Sequence, residues 1–135
     1  MQTVSLPPGG VLVCCIHTVL TRFTAGLVYI LHRVFNKVSL SPLQPDSRPS
    51  QLLVCTGYRG CEPRLLEVLQ ELRQTMCGLQ GGRDVLEVVP MQQLLGDGRF
   101  QHFLKAANEA VLHRSLATVV RWEKQLLQTC NMQGD

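Results

Sequence analysis

From Met1 to Thr21 the chain has no charged side chain, and from Met1 to Gly60 its one acidic residue is Asp46. A leading uncharged stretch is what a signal peptide or anchor requires, but this one has no basic n-region. Its apolar run is broken by Pro7-Pro8, Gly9-Gly10 and His17 before Arg22, so no targeting segment is expected. The scarcity of acid leaves Arg22, Arg33, Lys37, Arg48 and Arg59 opposed by Asp46 alone, within a net charge of +3 for the chain. That excess is compatible with a phosphate-bearing partner but too small to identify one, and a solvated face is the expected reading. No two of the six cysteines, Cys14, Cys15, Cys55, Cys61, Cys77 and Cys130, stand in C-x-x-C spacing, which excludes the usual structural zinc sites; no metal site is expected. Cys14, Cys15 and Cys55 fall in apolar runs where a thiol acts as a small hydrophobe, so reduced core thiols and a nuclear or cytoplasmic setting are expected. No G-x-G turn precedes Gly9, and no internal repeat or low-complexity tract is present.

What is there is enough for one domain: 135 residues, 45% hydrophobic and 17% charged, with mean hydropathy +0.09. The organising stretch is GGVLVCCIHTVLTRFTAGLVYILHRVF, residues 9–35. Its apolar run 11–16 follows a Pro-Pro-Gly-Gly turn and reads as a buried strand. After a short polar turn, Phe23, Leu27, Ile30, Leu31 and Val34 recur at spacings of three and four, with Thr21 placed to cap, which predicts a helix over about 22–36. Strand, helix and a further apolar run make an α/β unit of the kind found in mostly parallel sheets.

Val38-Ser39-Leu40 is the second candidate strand, ended by Pro42, and residues 51–56 the third, closed by Gly57 and Gly60. The loop between them, with Pro45, Asp46, Ser47, Arg48 and Pro49, is too short for a parallel crossover, so an antiparallel hairpin at the sheet edge is expected. Pro63 opens a helix carrying Leu65, Leu69, Leu72 and Met76 on one face and stopping at Gly78. Residues 85–89 read as a short strand or extended segment, and 91–95 as a helical turn. Asp97 is placed to cap a long segment, one helix or two, in which Trp122 reads as a core or interface anchor.

The helix Thr21-x-Phe23-x-x-Gly26-Leu27-Val28-Tyr29, the loop Ser47-Arg48-Pro49, and the turn Gly96-Asp97 with Asn108-Glu109 downstream carry a resemblance. Over about residues 9–128 the chain resembles the C-terminal half of the FtsJ/RrmJ-like, cap-specific mRNA 2′-O-ribose methyltransferases, and most resembles the cap-1 enzyme. The resemblance implies an α/β fold holding the second half of a Rossmann-like methyltransferase sheet (residues 9–60), with an antiparallel edge hairpin. An irregular lead-in (1–8) would precede it, and a mainly helical C-terminal extension (61–135) would pack on it.

In the resembled enzymes S-adenosylmethionine supplies the methyl group, and a Lys-Asp-Lys-Glu set surrounds the ribose hydroxyl. Such chemistry needs a lysine whose pKa is lowered enough to accept a proton. The resemblance puts the first Lys, the Asp and the cofactor turn upstream of the portion represented here. Of the remaining two, the lysine position is Cys15, and the glutamate position lies near Ser50, with Gln51 beside it in a loop about three residues shorter. No catalytic residue and no cofactor of its own are therefore expected, and a Cys15/His17 pair reads as structural. Arg22 and Arg48 lie at loops on the substrate side of the resembled fold and are the candidate RNA contacts, although Arg22 replaces the family's proline. Capped RNA, another polypeptide covering an open sheet edge, or a second copy of the chain are the candidate partners; no membrane is expected.

Overall fold

The computed structural model describes residues 6–43, 50–78 and 84–132. In chain order they form β1 (Leu12–Ile16), α1 (Arg22–Val34), β2 (Phe35–Pro42), β3 (Gln51–Tyr58), α2 (Pro63–Gly78), α3 (Met91–Gly96) and α4 (Gly98–Met132).

The three strands form a sheet of order β1-β3-β2 in which both ladders are antiparallel. This corrects the expectation of parallel pairing around β1. The crossover through α1 makes β1 and β2 point the same way, but β3 returns from the short loop and lies between them, so among the described residues no parallel pair forms. The hairpin of β2 and β3 is as the loop length required. β1 pairs on one side, with Leu12 opposite Cys55 and Ile16 opposite Gln51; its other edge has no partner strand among the described residues.

Alternation along β1 is visible in burial: Leu12, Cys14 and Ile16 are half-buried and pack against the core, while Val13 and Cys15 are exposed. An unbroken apolar run had suggested a strand covered on both faces. Here one face alone is covered, so Cys15 is an exposed thiol rather than a core one. Cys55, on central β3, is wholly buried, and all six cysteines are free.

Thr21 caps α1, its hydroxyl accepting from the Thr24 amide at 3.1 Å. The helix ends at Val34, and β2 starts at once with Phe35, earlier and longer than the pattern indicated. The most buried positions of α1 are Ala25, Gly26, Val28, Tyr29, Ile30 and Val34, whereas Phe23, Leu27 and Leu31 are half-buried. The helix is covered more widely than a single stripe because it meets the sheet on one side and α3 and α4 on another. Tyr29 meets Phe100 edge-on at 5.0 Å, and His32 meets Phe103 at 4.5 Å. Gly26 allows the closest approach: a Cβ there would stand 3.2 Å from the Val89 amide nitrogen. Residues 84–90 pass this point as an extended segment and form no strand.

Asp97 caps α4, its carboxylate accepting from the Phe100 amide at 3.0 Å. The segment that could have been one helix or two is a single helix of 35 residues, about 50 Å long. Val111 is its last buried side chain; beyond it Leu116, Val119, Trp122 and Leu126 are all exposed. Trp122, at 57% exposure, is therefore not a core residue. No helix among the described residues is long and apolar enough to cross a membrane.

Candidate functional site

The residues singled out for chemistry meet at one end of the sheet, where β1 finishes and β3 begins. Antiparallel pairing sets Cys15 opposite Leu52 and Ile16 opposite Gln51, so Ser50 and Gln51 are brought beside Cys15, Ile16 and His17 from more than thirty residues away. The Ser50 hydroxyl and His17 Nδ1 are 3.4 Å apart, and the Gln51 amide donates to the His17 carbonyl at 3.5 Å. Both are at the long limit of hydrogen bonding. Gln51 is the buried polar residue of the sheet, at 2% exposure, so its amide is committed to structure.

His17, Cys15 and Arg22 are exposed. Arg22 lies 4.0 Å from Glu87, an ion pair open to solvent on both sides that contributes little. Arg48, Ser47 and Pro49 lie outside the described residues. α4 is tied to the turn that precedes α1: the Asn108 amide donates to the Val19 carbonyl at 3.3 Å. The Asn108 side-chain oxygen is buried without a partner among the described residues.

This arrangement supports little proton chemistry. A hydroxyl 3.4 Å from an imidazole is the beginning of a nucleophile and base pair, but no acidic residue contacts His17 among the described residues to orient it. The sequence has three lysines, and none lies in β1 or at the start of β3. Lys37 pairs with Thr56 near the opposite end of the sheet, Lys105 lies 3.7 Å from Glu109 on α4, and Lys124 is in the exposed last third of α4. Among the described residues, no three His, Cys, Asp or Glu side chains are grouped to hold a metal.

Sequence reading did not anticipate Arg59. Its Nη2 donates to the Arg33 carbonyl at 2.7 Å and the His32 carbonyl at 3.4 Å, and its amide donates to the Val34 carbonyl at 2.8 Å, so it closes the C-terminal end of α1. A cation arriving from another element has no local signature. His32, beside it, is pushed below the usual imidazole range of 6.5 by burial, against an opposing pull from Asp97.

No family model matches the chain. Among curated proteins it is 36% identical over 118 residues to cap-specific mRNA (nucleoside-2′-O-)-methyltransferase 2 of Danio rerio, covering 86% of this chain and 16% of that protein. It is 32% identical over 120 residues to methyltransferase 1 of the same name from Danio rerio, covering 83% of this chain and 14% of that protein. A third relative, at 25% over 122 residues, is named inactive cap-specific mRNA (nucleoside-2′-O-)-methyltransferase 1B, from Caenorhabditis briggsae, with 85% of this chain and 14% of that protein covered. The chain thus spans between a seventh and a sixth of the length of these relatives, and both numbered enzymes are represented at similar identity. Over that segment the chain belongs to the cap-specific mRNA (nucleoside-2′-O-)-methyltransferase family.

Proposed function

We propose that this chain supplies the sheet edge and C-terminal helices of a Rossmann-like, S-adenosylmethionine-dependent cap 2′-O-ribose methyltransferase fold, and that it transfers no methyl group by itself. The observation that carries this is the pairing at the end of the sheet. The two strand ends that hold Lys and Glu in the resembled enzymes adjoin here, but with Cys15 on one and Ser50-Gln51 on the other. A ribose hydroxyl has a pKa far above neutrality, so methyl transfer needs a placed base; a thiol with no cationic partner beside it in the sequence and an amide already held by a carbonyl do not supply one. The name of the Caenorhabditis briggsae relative gives a precedent for inactivity among the family's relatives.

A non-catalytic interaction role is a second reading, favoured by the open edge of β1, where Val11 and Val13 are more than half exposed. The test is transfer of a labelled methyl group from S-adenosylmethionine to a capped RNA, together with calorimetric titration of the cofactor. No transfer and no saturable cofactor binding are expected from the 135-residue chain. Methyl incorporation at the ribose would overturn the proposal.

A further inference from the structure

At the end of the sheet opposite Cys15 and Ser50 lies a cavity of about 850 Å³, between the C-terminal end of α1 and the start of α2. Its volume falls within the range of sites that hold small organic ligands. Two guanidinium groups border it, Arg33 from α1 and Arg59 from the turn after β3, against the one carboxylate of Glu62. Among the described residues no carboxylate lies within ion-pair distance of either arginine. Arg59 is also held in place, since its Nη2 is bonded to two carbonyls of α1. A guanidinium fixed in this way has little conformational freedom left to lose when an anion arrives. The opposite wall is apolar, with Leu65 and Val68 from α2 and Val88 from the extended segment.

We propose that this cavity binds an amphiphilic organic anion, its phosphate or carboxylate group paired with Arg33 and Arg59 and its apolar body against Leu65, Val68 and Val88. A guanidinium suits both oxyanions, Arg33 through its planar fork and Arg59 through the Nε and Nη1 donors left beside its two carbonyl bonds, and two such charges beside an apolar wall favour a ligand with both characters over a bare ion. The site lies at the far end of β3 from the strand ends discussed above, so its occupancy is independent of whether the chain has methyltransferase activity.

Isothermal titration of the full 135-residue chain with octyl phosphate, octanoate and inorganic phosphate tests this. Saturable 1:1 binding of at least one amphiphile is expected, with inorganic phosphate weaker because it makes no use of the apolar wall. Reversal of the exposed charge in Arg33→Glu should weaken binding about tenfold or more, the scale of a lost charge-assisted hydrogen bond. Val68→Asn, which makes the wall polar without adding charge, should weaken the amphiphiles and leave inorganic phosphate unchanged. Both residues are exposed, so neither variant threatens the fold, whereas Arg59→Gln would also uncap α1. Tighter octyl phosphate assigns a phosphate ligand and tighter octanoate a carboxylate. Absence of saturable binding by both amphiphiles, or binding indifferent to Arg33→Glu, overturns the proposal.

Discussion

Replacing Gly57 by alanine should destabilise the fold for two separable reasons. Gly57 lies within β3 at φ +71, in the left-handed region, where a Cβ costs roughly 1–2 kcal/mol. Its Cβ would also stand 2.7 Å from Asn36 Nδ2 and 3.0 Å from Asn36 Cβ. The amide can swing away into solvent, but the Cβ is fixed to the backbone of β2, so roughly another 1–2 kcal/mol of crowding is expected. Against this, alanine restricts the unfolded chain more than glycine and returns about 0.5–1 kcal/mol. The net loss is about 1.5–3 kcal/mol, which for a chain of this size lowers Tm by roughly 6–12 °C. Urea denaturation of Gly57→Ala, Asn36→Gly and the double variant measures both parts, since Asn36→Gly removes the Cβ and amide contacts and leaves the backbone strain at residue 57. A positive coupling of about 0.5–1 kcal/mol is expected between the two positions. A Gly57→Ala protein within about 0.5 kcal/mol of wild type would refute the strain argument. Strict additivity with Asn36→Gly would refute the steric one. Tyr58 and Arg59 follow directly, so a shift here should also loosen the Arg59 cap on α1.

Burial holds His32 neutral in the folded state more strongly than in the unfolded chain, so the unfolded state binds more protons as pH falls below 6.5. Stability should therefore be full above that value and decline below it, towards the lowered folded pKa, and His32→Phe should flatten that part of a denaturation series between pH 7 and 5. An unchanged slope in the variant would show that another group governs the acid limb. Val13, exposed beside the open edge of β1, offers a test of strand-to-strand association. Sedimentation velocity should find concentration-dependent association in the wild type, weakened roughly tenfold or more in Val13→Lys, and a wild type monomeric at all concentrations would rule that interface out.

Local chemistry settled much of the fold in advance. The turn at Gly9-Gly10, the caps at Thr21 and Asp97, the proline opening α2 and the short return from β2 to β3 all act within a few residues of themselves. The reading that Cys15 and the Ser50 neighbourhood stand where the resembled enzymes have Lys and Glu was equally a matter of sequence. Pairing was not, because the apolar runs of β1 and β3 fit either direction of partner. The insertion of β3 between β1 and β2 was decided by which edge could satisfy the backbone of β1 once α1 had crossed over. That choice of neighbour exposed Cys15, buried Gln51 and set Ser50 beside His17. The same reasoning covers Trp122, whose spacing suits a core but whose helix runs past the end of the body it packs on. Arg59 caps α1 from twenty-five or more residues away, and the cavity beside it exists because that capping carries β3 into α2 across the end of α1. Composition and periodicity describe what each segment can bury, whereas long-range contacts of this kind depend on which segments the chain finally brings together.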